Sequence, residues 1–168
     1  MFSLSLATLI LVVSTPLIDP PKPSFNAEVV GILDGDTIDV LYKKSVYRVR
    51  LAEIDAPEKK QPYGMASKEA LAAMVFRKKL RVEWTKHEKW GRILGHVYLD
   101  GKPEVWVNLA MVKAGWAWQY TQYSKSKQLA RVQREALRAC RGLWKDAKPM
   151  PPWDFRKKRK QDKVREPW

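Results

Sequence analysis

Five short β-strands, a helix inserted after the third and further helices towards the C-terminus predict an α+β chain. The architecture expected is a five-stranded OB-fold β-barrel with about three helices. Two observations carry that prediction. Apolar and β-branched residues recur with period two in segments bounded by turn signals. The first three of these segments also follow one another through turns too short for parallel crossovers, which disfavours a βαβ sandwich.

Taken in order, residues 27–33 are aliphatic and β-branched, and residues 37–42 alternate, with Ile38, Val40 and Tyr42 on one face. Lys43-Lys44 turns the chain, and residues 45–54 return as a longer strand before Pro57 and Pro62 interrupt the pattern. Residues 65–79 are rich in Ala, Leu, Met, Glu and Lys and predict an amphipathic helix. Residues 80–84 and 93–99 predict two more strands, the second ended by an Asp100-Gly101 turn. Residues 107–114 predict a short helix closed by Gly115 at its C-terminal cap. Residues 126–143 predict a longer helix with a basic face that includes Arg131, Arg134, Arg138 and Arg141.

The ends differ from this domain. Residues 1–18 carry no charged side chain, and their apolar run, residues 4–13, has the length of a signal-peptide core rather than of a membrane span. Residues 1–23 are therefore expected to be a signal peptide or an uncleaved N-terminal anchor plus a Pro-rich linker, residues 24–148 the folded domain. Export is the expectation, to the medium or periplasm if the segment is cleaved, or on a membrane through the N-terminus if it is not. Pro149, Pro151 and Pro152 are expected to end regular structure. Beyond them, residues 153–168 hold seven Lys or Arg against three acids, and residues 149–168 are expected to form a basic, disordered tail.

A net charge of +14 and a pI near 9.9 imply an anionic partner: nucleic acid, an acidic membrane face or another polyanion. Charge alone does not choose among them. Cys140 is the only cysteine, which excludes an intramolecular disulfide and a Cys-based zinc site; its place in a helical stretch predicts a buried packing role. His87 and His96 have no cluster of metal-type ligands around them in sequence and are expected to be structural.

Three clusters carry chemistry. Asp34-Gly35-Asp36-Thr37 reads locally as a hairpin turn. It does not begin an EF-hand, because the sixth position would be Asp39 rather than Gly. Arg48 and Arg50 lie in an otherwise apolar strand that leads into Glu53-Ile54-Asp55-Ala56-Pro57-Glu58. A hairpin turning at Lys43-Lys44 brings Asp36 opposite Leu51, so Arg50, Asp55 and Glu58 fall near the same barrel end as Asp36. Acids and an arginine converging there can hold a hard cation and an anionic ligand together. Lys89-Trp90-Gly91-Arg92 reads locally as a β-turn with exposed basic residues.

In order and spacing the three clusters resemble the staphylococcal nuclease family. DGDT opens the second strand, RLAEIDAPE is similar to that family's R-L-x-x-x-D-x-P-E segment, and KWGR is similar to its K-Y-G-R turn. The resemblance runs from about residue 27 to residue 143. It implies that Asp36 and Asp55 are carboxylate ligands of Ca2+, with Ala56 contributing its backbone carbonyl, and that Asp34 and Thr37 support the metal. It further implies that Glu58 is the general base and that Arg50 and Arg92 neutralise the phosphate. Trp90, standing where the family has tyrosine, is expected to line the nucleotide pocket, and Tyr120 or Tyr123 to stack on a base. Trp116 and Trp118 are expected in the core. The function implied is a calcium-dependent nuclease acting on DNA and RNA as a monomer and leaving 3′-phosphate ends. The rival is a noncatalytic OB module that binds single strands. Such modules lose the acids, the base or the arginines, and here Asp36, Arg50, Asp55, Glu58 and Arg92 are all present.

Overall fold

The structure is a computed structural model and describes residues 24–87 and 91–165. The expected signal or anchor segment, Lys89, Trp90 and the last three residues of the chain lie outside the described residues. The elements run β1 (Ser24–Ile32), β2 (Thr37–Tyr42), β3 (Ser45–Leu51), β4 (Ile54–Asp55), α1 (Gly64–Val75), β5 (Lys79–His87), β6 (Ile93–Leu99) and β7 (Val105–Trp106). They continue with α2 (Val107–Lys113), β8 (Trp118–Gln119), α3 (Lys127–Arg138), a 3-10 turn (Gly142–Lys145) and α4 (Pro152–Arg165).

Alternation does what the sequence predicts. Phe25, Ala27 and Val29 of β1, Ile38 and Val40 of β2, and Tyr47, Val49 and Leu51 of β3 all point into one core. The sheet order β3-β2-β1-β5-β6-β7 closes on itself where β3 pairs with β6, Val49 opposite Ile93 and Leu51 opposite Gly95. β1, β2, β3, β5 and β6 thus form the closed five-stranded OB barrel, with α1 inserted after the third strand. The closing pair is parallel, and the other pairs are antiparallel. Bulges between Val29 and Gly31 and between Trp84 and Lys86 give β1 and β5 the bend that closure needs.

Asn108 of α2 pins the site end of the barrel. It is wholly buried, accepts from Val97 N (3.0 Å) and donates to the carbonyls of Ala52 (2.9 Å) and Gly95 (3.3 Å). The segment between β3 and β4 is thereby held against β6.

Two helix ends and the tail depart from the sequence reading. α1 stops at Val75 instead of continuing to residue 79. Arg77 adopts φ 58°, and from Lys79 the chain pairs with β1, so ladder hydrogen bonds take the residues that the helix would have used. α3 begins at its Ser126 cap, whose hydroxyl accepts from Leu129 N (3.2 Å), and buries Leu129, Val132 and Ala136. It ends at Arg138 rather than residue 143, because Cys140 turns left-handed (φ 49°) and Gly142 approaches Gly115, where Leu143 N donates to Gly115 O. Cys140 is consequently exposed, not buried. Trp116 packs partly buried against the main core, whereas Trp118 meets Trp144 edge-on (4.2 Å) in a smaller second cluster.

The last departure is the largest. Residues 152–165 of the expected disordered tail form α4, a fourth α-helix. Pro152 does end the preceding structure, but its fixed φ and missing N–H also suit the first turn of a helix. Trp153 then stacks on Tyr120 (5.4 Å, interplanar 2°) and meets Trp118 edge-on (5.8 Å).

Candidate active site

The site is assembled at the end of the barrel where β2 starts and β3 finishes. Asp34 folds the preceding turn by accepting from Asp36 N (3.1 Å). Gly35 is needed there for space: a Cβ on it would lie 2.8 Å from the Ala56 methyl and inside contact distance of the Ser67 side chain. Asp36 accepts no slack. Its backbone carbonyl takes the N–H of Leu51 (2.8 Å), which puts it opposite Leu51 as the hairpin register requires. Its carboxylate takes Ala56 N on Oδ2 (2.7 Å) and Thr37 Oγ1 on Oδ1 (3.0 Å).

Arg50 joins the two aspartates. Nη1 lies 2.8 Å from Asp36 Oδ1, and Nη2 donates to Asp55 Oδ1 (2.7 Å). Asp55 is fixed by the short β4–β8 ladder and is only 1% exposed. The other strand arginine, Arg48, forms a cross-strand pair with Asp39 (2.9 Å) on an exposed surface and takes no part. Arg92 immediately precedes β6, whose Ile93 and Leu94 lie opposite Val49 and Arg50, so its backbone borders the strand that carries Arg50.

Glu58 projects from the loop after β4. Its N–H donates to Gln61 Oε1 (3.1 Å), and Gln61 Nε2 donates in turn to Met150 O (2.5 Å) just before α4. Among the described residues the Glu58 carboxylate meets Arg156 of α4, a residue the sequence reading missed. Arg156 Nη1 donates to Glu58 Oε1 (2.8 Å) and Asp55 Oδ1 (3.2 Å), while Nη2 donates to Asp55 Oδ2 (2.7 Å). A weak signal existed: Pro152 followed by Asp154 is a helix-start pattern, and Trp153 and Arg156 are three apart on such a helix. The basic run from Arg156 to Lys160 hid it. Behind the Glu58 loop a cleft of about 460 Å³ separates Pro57, Gln61 and Tyr63 from Phe155, Lys158 and Arg159 of α4.

The electrostatics are those of crowded negative charge held by guanidinium groups. Burial, and then the neighbouring Asp36 carboxylate, push the Asp34 carboxyl up to about 6. Burial also pushes Asp55 upward, opposed by Arg156 and Arg50. Burial works against the Arg156 charge, but Asp55 and Glu58 hold it protonated above the usual arginine range. His96 is pushed downward by burial and packs edge-on against Trp106 (5.5 Å), a structural setting.

Asp36, Arg50, Asp55 and Glu58 therefore form one connected constellation, with Glu58 joined through Arg156. Tyr120 and Tyr123 meet edge-on (4.7 Å); Tyr123 is 67% exposed, whereas Tyr120 has one face taken by Trp153. Residues 48–146, from within β3 through β5, β6 and the helices up to the 3-10 turn, match the family model described as "Staphylococcal nuclease homologue". The chain belongs to this family. It is a nuclease of the staphylococcal type, as its relatives bear out. One relative, named "Uncharacterized endonuclease", from Escherichia coli, is 46% identical over 132 residues, covering 78% of this chain and 84% of its own length. The micrococcal nuclease of Shigella flexneri is 40% identical over 159 residues, 90% of this chain and 89% of its own. A staphylococcal-like nuclease of Arabidopsis thaliana is 39% identical over 122 residues, 73% of this chain but 36% of its own. Asp55, Glu58, Arg50 and Arg92 fall inside the family-matched span. Asp36 precedes it, and α4 follows it.

Proposed function

We propose that this nuclease hydrolyses phosphodiester bonds of DNA and RNA with calcium held by Asp36, Asp55 and the backbone carbonyl of Ala56, leaving 3′-phosphate ends. The observation that supports it most is the pair of buried aspartates bridged by Arg50, with Glu58 beside them. The donors are hard oxygens, which suit calcium. Among the described residues no group of three or more His, Cys, Asp or Glu converges as a metal-ligand set. Two carboxylates and a carbonyl are a small shell of the kind that leaves room for water and a phosphate oxygen. The Asp34 carboxyl, raised first by burial and then by the Asp36 charge, fits the same reading, since a bound cation would offset that cost.

The cation supplies a positive charge against the phosphoryl oxygens. The rest falls to the chain's own residues. Glu58 orients the attacking water and takes its proton. Arg50 and Arg92 neutralise charge that builds on the equatorial oxygens during in-line displacement, where a planar fork that stays protonated is of most use. Tyr123, the exposed aromatic of the pair, offers a face to a base, with Tyr120 bracing it edge-on; Trp90 would line the same nucleotide pocket.

Digestion of plasmid and single-stranded substrates by the purified protein, with calcium and then with chelator, tests this. The expected result is cleavage only with calcium, giving ends that resist tailing at the 3′ position until treated with phosphatase. Tight binding without cleavage at any calcium concentration would make the chain a noncatalytic OB module.

A further inference from the structure

We propose that Arg156 is a positioning residue for this reaction: it clamps the Glu58 carboxylate to Asp55 and so fixes the direction from which Glu58 reaches water. The inference rests on the proposed role of Glu58 as base. Its geometry is independent of that role.

The backbone of Glu58 is already anchored. Its N–H is held by Gln61 Oε1, its carbonyl takes Gln61 N (2.8 Å), and Gln61 O takes Gly64 N (2.9 Å) at the start of α1. The side chain is a different matter. Glutamate has three rotatable bonds, the Glu58 side chain is one-third exposed, and such freedom works against a base that must meet water in one orientation. Arg156 removes that freedom by taking its bearing from the most rigid acid in the site. Both of its amino groups grip Asp55, which is buried at 1% exposure in the β4–β8 ladder, and Nη1 is shared with Glu58 Oε1. A planar fork with fixed donor directions can transmit orientation in this way, whereas a single ammonium group cannot.

α4 is built to deliver one arginine. Among the described side chains of α4, Lys157, Lys158, Arg159, Lys160 and Lys163 are exposed, whereas Arg156 is among the ion pairs of the site. The helix is held at its first turn, by Trp153 stacked on Tyr120 and by the Gln61 to Met150 bond at its approach. That bond runs to the same loop that carries Glu58. Tryptophan, glutamine and arginine thus tie one end of α4 to the acid at the reaction centre from two directions.

Cleavage kinetics for wild type, Arg156→Ala, Arg156→Lys, Glu58→Gln and the double variant Glu58→Gln/Arg156→Ala, at saturating calcium, test the clamp. Thermal melts report whether each variant is folded; Arg156→Lys, which keeps the charge, takes the place of the alanine variant if that one does not fold. In the Glu58 background kcat should fall about 10- to 100-fold with KM within about threefold, the lysine variant losing less. With Glu58→Gln already present, removing Arg156 should cost less than about threefold, because residues that act as one unit are not additive. A normal kcat would overturn the clamp. So would an equal loss in both backgrounds, which would mean that Arg156 meets substrate on its own account. A higher kcat together with tighter calcium binding by calorimetry would also overturn it and make the guanidinium an internal competitor for the cation. A wild-type chain that cuts nothing with calcium would instead sink the proposed function on which the clamp rests.

Discussion

Arg50→Lys is the perturbation that the site's geometry resolves best. The arginine makes two short contacts, 2.8 Å to Asp36 and 2.7 Å to Asp55, and those side chains are 8% and 1% exposed. An ammonium group reaches one of them. The other aspartate is left buried with one cationic partner fewer, so one charge-assisted bond of about 1.5–3 kcal/mol is forfeited. Stability should therefore drop by about 2 kcal/mol in chelator, moving a urea midpoint by about 1 M for a domain of this size. Calcium should recover part of it, since a cation held by the aspartates would replace the missing charge. Turnover at saturating calcium should fall about 100- to 1000-fold, the range for losing one oriented donor at a charge-developing centre. Net charge is unchanged, so weaker general attraction for nucleic acid would not account for that loss. A midpoint shifted by less than about 0.2 M, a small fraction of that estimate, with near-normal turnover would show that Arg50 bridges nothing of consequence.

Three further outcomes are expected. Asp36→Asn should weaken calcium binding about 10- to 100-fold by calorimetry, with excess calcium restoring part of the rate; unaltered affinity would remove Asp36 from the ligand set. For Asp34, raised in the folded state to about 6, the folded protein binds the proton more tightly than the unfolded chain does. Wild type in chelator should thus lose stability relative to Asp34→Asn as pH rises from about 3.8 to about 6, by at most about 3 kcal/mol, and parallel pH profiles would contradict this. Asn108→Ala leaves Val97 N–H and the Ala52 carbonyl short of a partner inside the core and should cost about 3 kcal/mol in a denaturant titration; a loss under about 1 kcal/mol, the worth of one ordinary hydrogen bond, would mean that the barrel end adapts.

The barrel was legible because alternation is a direct image of burial: Ile38 and Val40 face in, and Leu41, next after them, faces out. The Asp36–Leu51 opposition followed from counting across a two-residue turn, and counting is reliable where strands pair without bulges. The failures share a physical cause. Arg77 and Cys140 follow helices and lie in the left-handed region; Glu53 and Tyr63, on either side of the Glu58 loop, lie there too, and none is glycine. Tertiary packing imposes those bends, so propensity gives no warning of them. The tail failed differently. A strongly basic composition argues for disorder on average, but α4 is docked by a few particular side chains, Trp153 and Arg156 above all, and an average does not see them.

The ring cluster at the base of α4 has an optical consequence. Trp118 lies 4.2 Å from Trp144 and 5.8 Å from Trp153, at steep interplanar angles of 62° and 72°. Indoles this close and this oblique couple their strongest excited states, which gives a far-ultraviolet circular dichroism couplet of opposite-signed lobes. Two of the three rings belong to the body of the protein and one to the helix. Part of that couplet therefore records whether the helix is seated, without substrate, cation or label. Trp153→Phe should flatten that part and leave the Trp118–Trp144 contribution standing, so the seating of the helix can be followed in the same cuvette while calcium or a nucleotide is titrated in.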